Sequence, residues 1–121
     1  MTLGEMQQNF TQMVAKLIEF AYASGYGLTF GEAYRTPEQA ALDAQKGIGI
    51  AASLHTQRLA VDFNLFKDGV LLTTTADYEP LGVFWESLGG SWGGRFTKLV
   101  NGVEAANPDS DHFSLAFDGR K

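Results

Sequence analysis

His55 and His112 are the only histidines in the sequence, and each stands among acidic residues at a spacing suited to a metal. His55 lies in Ser53-Leu54-His55 with Asp62 following in the next apolar run, and His112 closes Asp109-Ser110-Asp111-His112. Two imidazoles and one carboxylate, with a position left for water, form the ligand set of a hydrolytic zinc site. The pattern points to a small metallohydrolase.

Composition limits what can surround such residues. A chain of 121 residues, 45% hydrophobic and 12% aromatic, has the size of one domain spanning 1–121 and can supply its own core. The formal net charge of -5, with only nine scattered lysines and arginines, argues against nucleic acid, whose phosphates require basic clusters. With no cysteine, any metal must be held by His, Asp, Glu or main-chain oxygen. Lys16 and Glu19 interrupt the best apolar stretch, so no membrane span is expected. Met1-Thr2-Leu3-Gly4-Glu5 lacks the basic region and apolar run of a secretory signal, so synthesis in the cytoplasm is expected.

The elements that must position the site follow from periodicity. Phe10, Met13, Val14, Leu17, Ile18 and Ala21 recur at helical spacing, ended by Gly25 and Gly27. Tyr26 to Tyr34 reads as a strand that delivers Glu32, Tyr34 and Arg35 to its end. Thr36-Pro37-Glu38-Gln39 has the form of a capping box before a helix over Ala40 to Lys46, closed by Gly47 and Gly49. Leu59 to Phe66, Lys67-Asp68-Gly69 and Val70-Leu71-Leu72 make a hairpin signal. Asp77 to Leu88 predicts a third helix with Pro80 in its first turn and Gly89-Gly90 as its stop. Residues 91–111 read as an irregular Gly/Trp loop before a final strand over His112 to Phe117. The order gives an α+β class, a small single domain with an antiparallel sheet and flanking helices.

Each half of the metal pattern has a plainer alternative. His55 and Asp62 also fit a surface histidine in a loop and an exposed aspartate on a half-polar strand. Asn107-Pro108-Asp109-Ser110 also fits an ordinary polar turn in which aspartate caps backbone amides. If Leu59 to Phe63 is extended, however, the chain can turn after His55 and return Asp62 to a shared face. An acid three residues before His112 is then placed to reach a water and act as general base.

Ser53-x-His55, Ala60-x-Asp62 and Asp109-x-x-His112, in that order, resemble the zinc peptidases that include D-Ala-D-Ala carboxypeptidases and dipeptidases and phage L-alanyl-D-glutamate endopeptidases. Tyr34-Arg35-Thr36 and Trp92-Gly93-Gly94-Arg95-Phe96 look like the phage endolysin branch, and the similar segments run from about residue 28 to 117. The resemblance implies zinc at His55, Asp62 and His112, Asp109 as catalytic base, and Arg35 in the active site, either at the oxyanion or on a substrate carboxylate. It also implies that Ser53 donates to substrate, although capping the turn before His55 is an equal alternative. Trp92 and Phe96 are candidates to line the groove, with Gly93-Gly94 admitting a substrate backbone. Core packing is the other fate of Phe96, and Arg95 is a candidate for the D-glutamate carboxylate. Asp111 reads as a supporting or surface group, and Glu32, on the strand of Arg35, as an ordinary exposed carboxylate or as a group that orients that guanidinium.

Two positions depart from the family pattern. Arg58 stands where many members have glycine, which alters the local turn or the substrate edge. Asp109 replaces the glutamate of the dipeptidase branch, which tilts the resemblance toward a peptidoglycan stem peptide cut by a monomeric phage or prophage endolysin at the wall. The competing expectations are a D-Ala-D-Ala carboxypeptidase or dipeptidase and a non-catalytic wall-binding module of the same fold.

Overall fold

The structure is a computed structural model that describes residues 1–47 and 53–121; Gly49, expected to help close the second helix, lies outside the described residues. Helix α1 spans Leu3–Ala23 and begins at a reciprocal cap in which Thr2 and Glu5 satisfy each other's backbone amides. Gly25, at φ 89°, takes the left-handed conformation that ends the helix. Gly27 does not terminate α1 but lies within strand β1, Tyr26–Phe30.

Helix α2, Pro37–Gln45, starts where its residues predict, with Thr36 accepting the Gln39 amide and proline in the first turn. The box is half of the expected one, because the Gln39 side chain donates to Asp43 at 2.7 Å. A 3₁₀ turn at Leu54–Gln57 then leads into strand β2, Ala60–Lys67. Asp68 and Gly69, at φ 52° and 77°, form the turn to β3, Val70–Leu72. Positive φ at both central positions matches the twist of an antiparallel pair.

Helix α3 runs Thr75–Ser87, earlier than the sequence pattern suggests, because Thr74 and Asp77 form another reciprocal cap. Pro80 therefore sits inside the helix rather than in its opening turn. The stretch expected to be an irregular loop contains β4, Ser91–Trp92, a 3₁₀ turn at Gly93–Arg95, and a hairpin of β5, Thr97–Val100, and β6, Val103–Ala106. Asn101 and Gly102 turn that hairpin with positive φ. The final strand, β7, is only His112–Ser114.

Strand β2 organises the larger sheet. β1 runs antiparallel along Phe63–Lys67 on one edge, while β3 and β7 share the other, and β4 adds outside β7. Side chains alternate along β2: Val61, Phe63 and Leu65 are buried with Phe10, Met13 and Leu17 of α1, Tyr78, Leu81 and Trp85 of α3, and Phe113 of β7. Trp85 meets Phe113 edge-on at 5.9 Å and donates its indole N–H to the Ser114 carbonyl at 2.9 Å. The helices thus seal one face of the sheet. Asp62 must point to the other. Among the described residues no helix is long and apolar enough to cross a membrane.

Candidate metal centre

Register places the two candidate ligands from distant segments side by side. Asp62 on β2 lies directly opposite His112 on β7, and both point away from the face carrying Val61 and Phe113. His55 arrives from the 3₁₀ turn. Ser53 caps that turn by accepting the His55 amide at 3.2 Å, and Arg58 closes it at φ 57°, ψ 36°. This left-handed backbone favours glycine, the residue that the family resemblance leads one to expect at position 58. Arg58 accepts it and lays its guanidinium 4.1 Å over the Tyr34 ring.

The three side chains converge. His55 Nε2 lies 3.3 Å and His112 Nδ1 3.5 Å from Asp62 Oδ1. The imidazoles are 3% and 5% exposed, so the cluster is largely shielded from bulk water. His55 Nδ1 faces the Ala33 carbonyl at 3.1 Å, an acceptor that assigns the proton to Nδ1 and leaves the Nε2 lone pair for the cluster. Asp62 Oδ1 is buried without a well-formed hydrogen bond among the described residues. Two nitrogens and a carboxylate oxygen, within 4.8 Å of one another, suit zinc or a similar first-row divalent ion. The residues fit the group.

Electrostatics point the same way. Burial disfavours a charged Asp62, yet the facing His112 and His55 rings outweigh it and hold the carboxyl at about 2. Burial also disfavours a charged His55 ring, but facing Asp62 raises its pKa above the ordinary histidine value. An ionised oxygen between two imidazoles is a site that a cation can take over.

Asp109 Oδ2 stands 3.8 Å from His112 Nδ1, and Asp62, Asp109 and Asp111 bring carboxylate oxygens within 4.8 Å of one another. Burial, a hydrogen bond shared with Asp109 and the charges of Asp62 and Asp109 push Asp111 up to about 7. Asp111 is therefore part of the cluster rather than a surface group. A cleft of about 480 Å³ opens beside Asp109 and Asp111, walled by Asn64, Thr73, Thr74 and Thr75. The cleft gives access to the Asp109 and Asp111 carboxylates from this side. The Thr75 and Ser110 hydroxyls, 2.6 Å apart, tie its two walls together.

The turn that carries Asp109 rests on Gly93. The Asp109 amide donates to the Gly93 carbonyl at 2.9 Å, and the His112 amide donates to the Asp109 carbonyl at 3.1 Å. A Cβ on Gly93 would lie 2.0 Å from the Asp109 carbonyl oxygen and 2.9 Å from His112 Cβ. The Gly93-Gly94 pair, expected to admit a substrate backbone, instead admits the protein's own: Gly94 packs where a Cβ would be 2.2 Å from the Trp92 ring.

The remaining candidates separate. Arg35 pairs its guanidinium with Glu32 and donates its amide to the His55 carbonyl at 3.2 Å. Trp92 is 1% exposed and donates its indole N–H to Ser110 at 2.8 Å. It supports the turn that carries Asp109 from below and has no surface to line a groove. Arg95 is exposed, bridged to Glu86 of α3 at 3.2 Å and stacked over Trp92, and is not brought to the cluster. Phe96 is half-buried with its ring 5.3 Å from His112. Of the two sequence readings of Glu32, the structure shows the pairing with Arg35. The Ala33 carbonyl was not read from sequence as a support of the site, since a backbone carbonyl leaves no signal there.

The fold is shared with a known hydrolase. The crystal structure of Serratia marcescens L-Ala D-Glu endopeptidase ChiX matches with a TM-score of 0.70 at 19% sequence identity, over 91% of this chain and 80% of that one. No family model and no curated protein matches the sequence.

Proposed function

We propose that the protein is a zinc-dependent peptidoglycan hydrolase that cuts the L-Ala-D-Glu bond of the stem peptide, a phage or prophage endolysin acting as a monomer at the cell wall. The observation that carries this reading is the convergence of His55 Nε2, Asp62 Oδ1 and His112 Nδ1 beside the Asp109 carboxylate. The shared fold with an L-Ala D-Glu endopeptidase supports the substrate class.

Bound by His55, Asp62 and His112, zinc supplies Lewis acidity toward water and a peptide carbonyl. Asp109, which lines the cleft, accepts the proton as water oxygen bonds to the carbonyl carbon. It returns that proton to the amine nitrogen as the C–N bond breaks. Arg35 offers N–H donors to the developing oxyanion or to a substrate carboxylate. Ser53 holds the His55 turn by accepting the His55 amide, and its own hydroxyl proton remains available to substrate.

Mass spectrometry of muropeptides after incubation with metal-replete protein tests the reading. Release of a peptide that begins at D-glutamate, with L-alanine left on the sugar, is the expected result. Loss of a terminal D-alanine would replace it with a carboxypeptidase, and unchanged muropeptides with a non-catalytic wall module.

A further inference from the structure

Glu32 occupies a junction between the three parts of the candidate site. Its carbonyl accepts the Asp62 amide at 2.8 Å, while the Gly31 amide donates to the Asp62 carbonyl at 2.8 Å, so the chain at 31–32 clamps the backbone of one proposed ligand. Its carboxylate pairs with the Arg35 Nη2 and stands 3.7 Å from His55 Nδ1. The next residue, Ala33, orients the same imidazole through its carbonyl.

The pair is asymmetric. The Arg35 side chain is 17% exposed against 36% for Glu32, and Arg35 Nε is buried with no protein partner among the described residues. One end of the guanidinium is therefore held by Glu32, while Nε–H is closed off from solvent without an acceptor, a costly arrangement that leaves the direction of the group to its Glu32 partner. Without Glu32, a long side chain with several rotamers would have no partner to hold this direction.

We propose that Glu32 is a positioning residue that acts through Arg35, holding its guanidinium in one direction beside the His55 turn. The proposal rests on the peptidase reading above for its consequence in catalysis. The hold itself is independent of substrate.

The test is a double-mutant cycle with a second, substrate-free measurement. Glu32→Ala should lower kcat by about 10–100-fold, the usual cost of removing a support behind a reacting group, while zinc stoichiometry stays at one because the Asp62 clamp is backbone. Glu32→Gln, which keeps an oxygen for the Arg35 N–H, should recover part of the loss. In an Arg35→Ala background, Glu32→Ala should change kcat by less than about twofold. By NMR, slow rotation of the Arg35 guanidinium should become fast in Glu32→Ala. Independent, multiplicative losses in the cycle, or unchanged guanidinium rotation, would overturn the proposal. If wild-type protein cuts no stem peptide, the peptidase reading falls and the rotation measurement alone decides whether Glu32 holds Arg35.

Discussion

At the residue scale, ligands and base make separable contributions. His55 and His112 each present one nitrogen to Asp62 Oδ1, so His55→Ala or His112→Ala leaves two donors and no shared geometry. Both variants should lose tight zinc binding, measured by competition with a chromophoric chelator; full stoichiometry in either would remove that histidine from the ligand set. Asp109 is the most exposed of the contacting groups, with its side chain 58% accessible. Asp109→Asn preserves volume and the three proposed ligands, so zinc should remain while kcat falls by about 10²–10⁴-fold. Retained turnover would move the base to Asp111, whose carboxyl shares the cluster and is pushed up to about 7. Loss of zinc would make Asp109 itself a ligand.

At the scale of elements, the site is a meeting of two strands and two turns. β2 and β7 contribute one side chain each through register, the capped 3₁₀ turn contributes His55, and the turn at 107–111 contributes the carboxylates. The weakest tolerance is at Gly93, where added carbon meets backbone rather than a flexible side-chain end. Gly93→Ala should displace the Asp109 carbonyl, cost about 1–3 kcal/mol in denaturant unfolding, and weaken both zinc affinity and cleavage. Gly4→Ala is the control, since nothing lies within 4 Å of its added carbon. Wild-type stability and zinc affinity in Gly93→Ala would mean that the 93–112 contact does not govern the site.

At the scale of the molecule, α1 and α3 seal the face opposite the cluster, and Tyr78 fastens α3 to β2 by donating its hydroxyl to the Phe63 carbonyl at 2.7 Å. Burial, with the charge of Asp111 behind it, raises the Tyr78 pKa from 10 to about 12. A group whose pKa is raised on folding contributes stability below its unfolded value and loses that contribution as pH rises through the folded one. The protein should therefore lose stability between pH 10 and about 12 by this route. Chemical denaturation across that range should show a steeper fall for wild type than for Tyr78→Phe; equal slopes would exclude Tyr78 as the group responsible.

The sequence by itself determined what local chemistry governs. Thr36-Pro37 started α2, Asp68-Gly69 turned β2 into β3, and Ser-x-His, Ala-x-Asp and Asp-x-x-His named the residues that now converge. Some legible signals went unread: Thr74 to Asp77 is a helix cap, and Asn101-Gly102 is a hairpin turn of the same kind as Asp68-Gly69. Other features had no local signature. Trp92 and Gly93 look like a binding loop because exposed and buried glycine-aromatic segments share one composition. Only the packing of Gly94 against the indole, and of Gly93 against Asp109, shows them to be the floor of the site. Glu32 can be read from sequence as a solvated carboxylate or as a partner of Arg35, and only the bend of the chain between them decides for the second. Periodicity is set by backbone geometry within a few residues, whereas the pairing of Asp62 with His112 is set by which strands share an edge of β2. That choice belongs to the burial of Val61 and Phe113 in one core, and only the tertiary structure decides it.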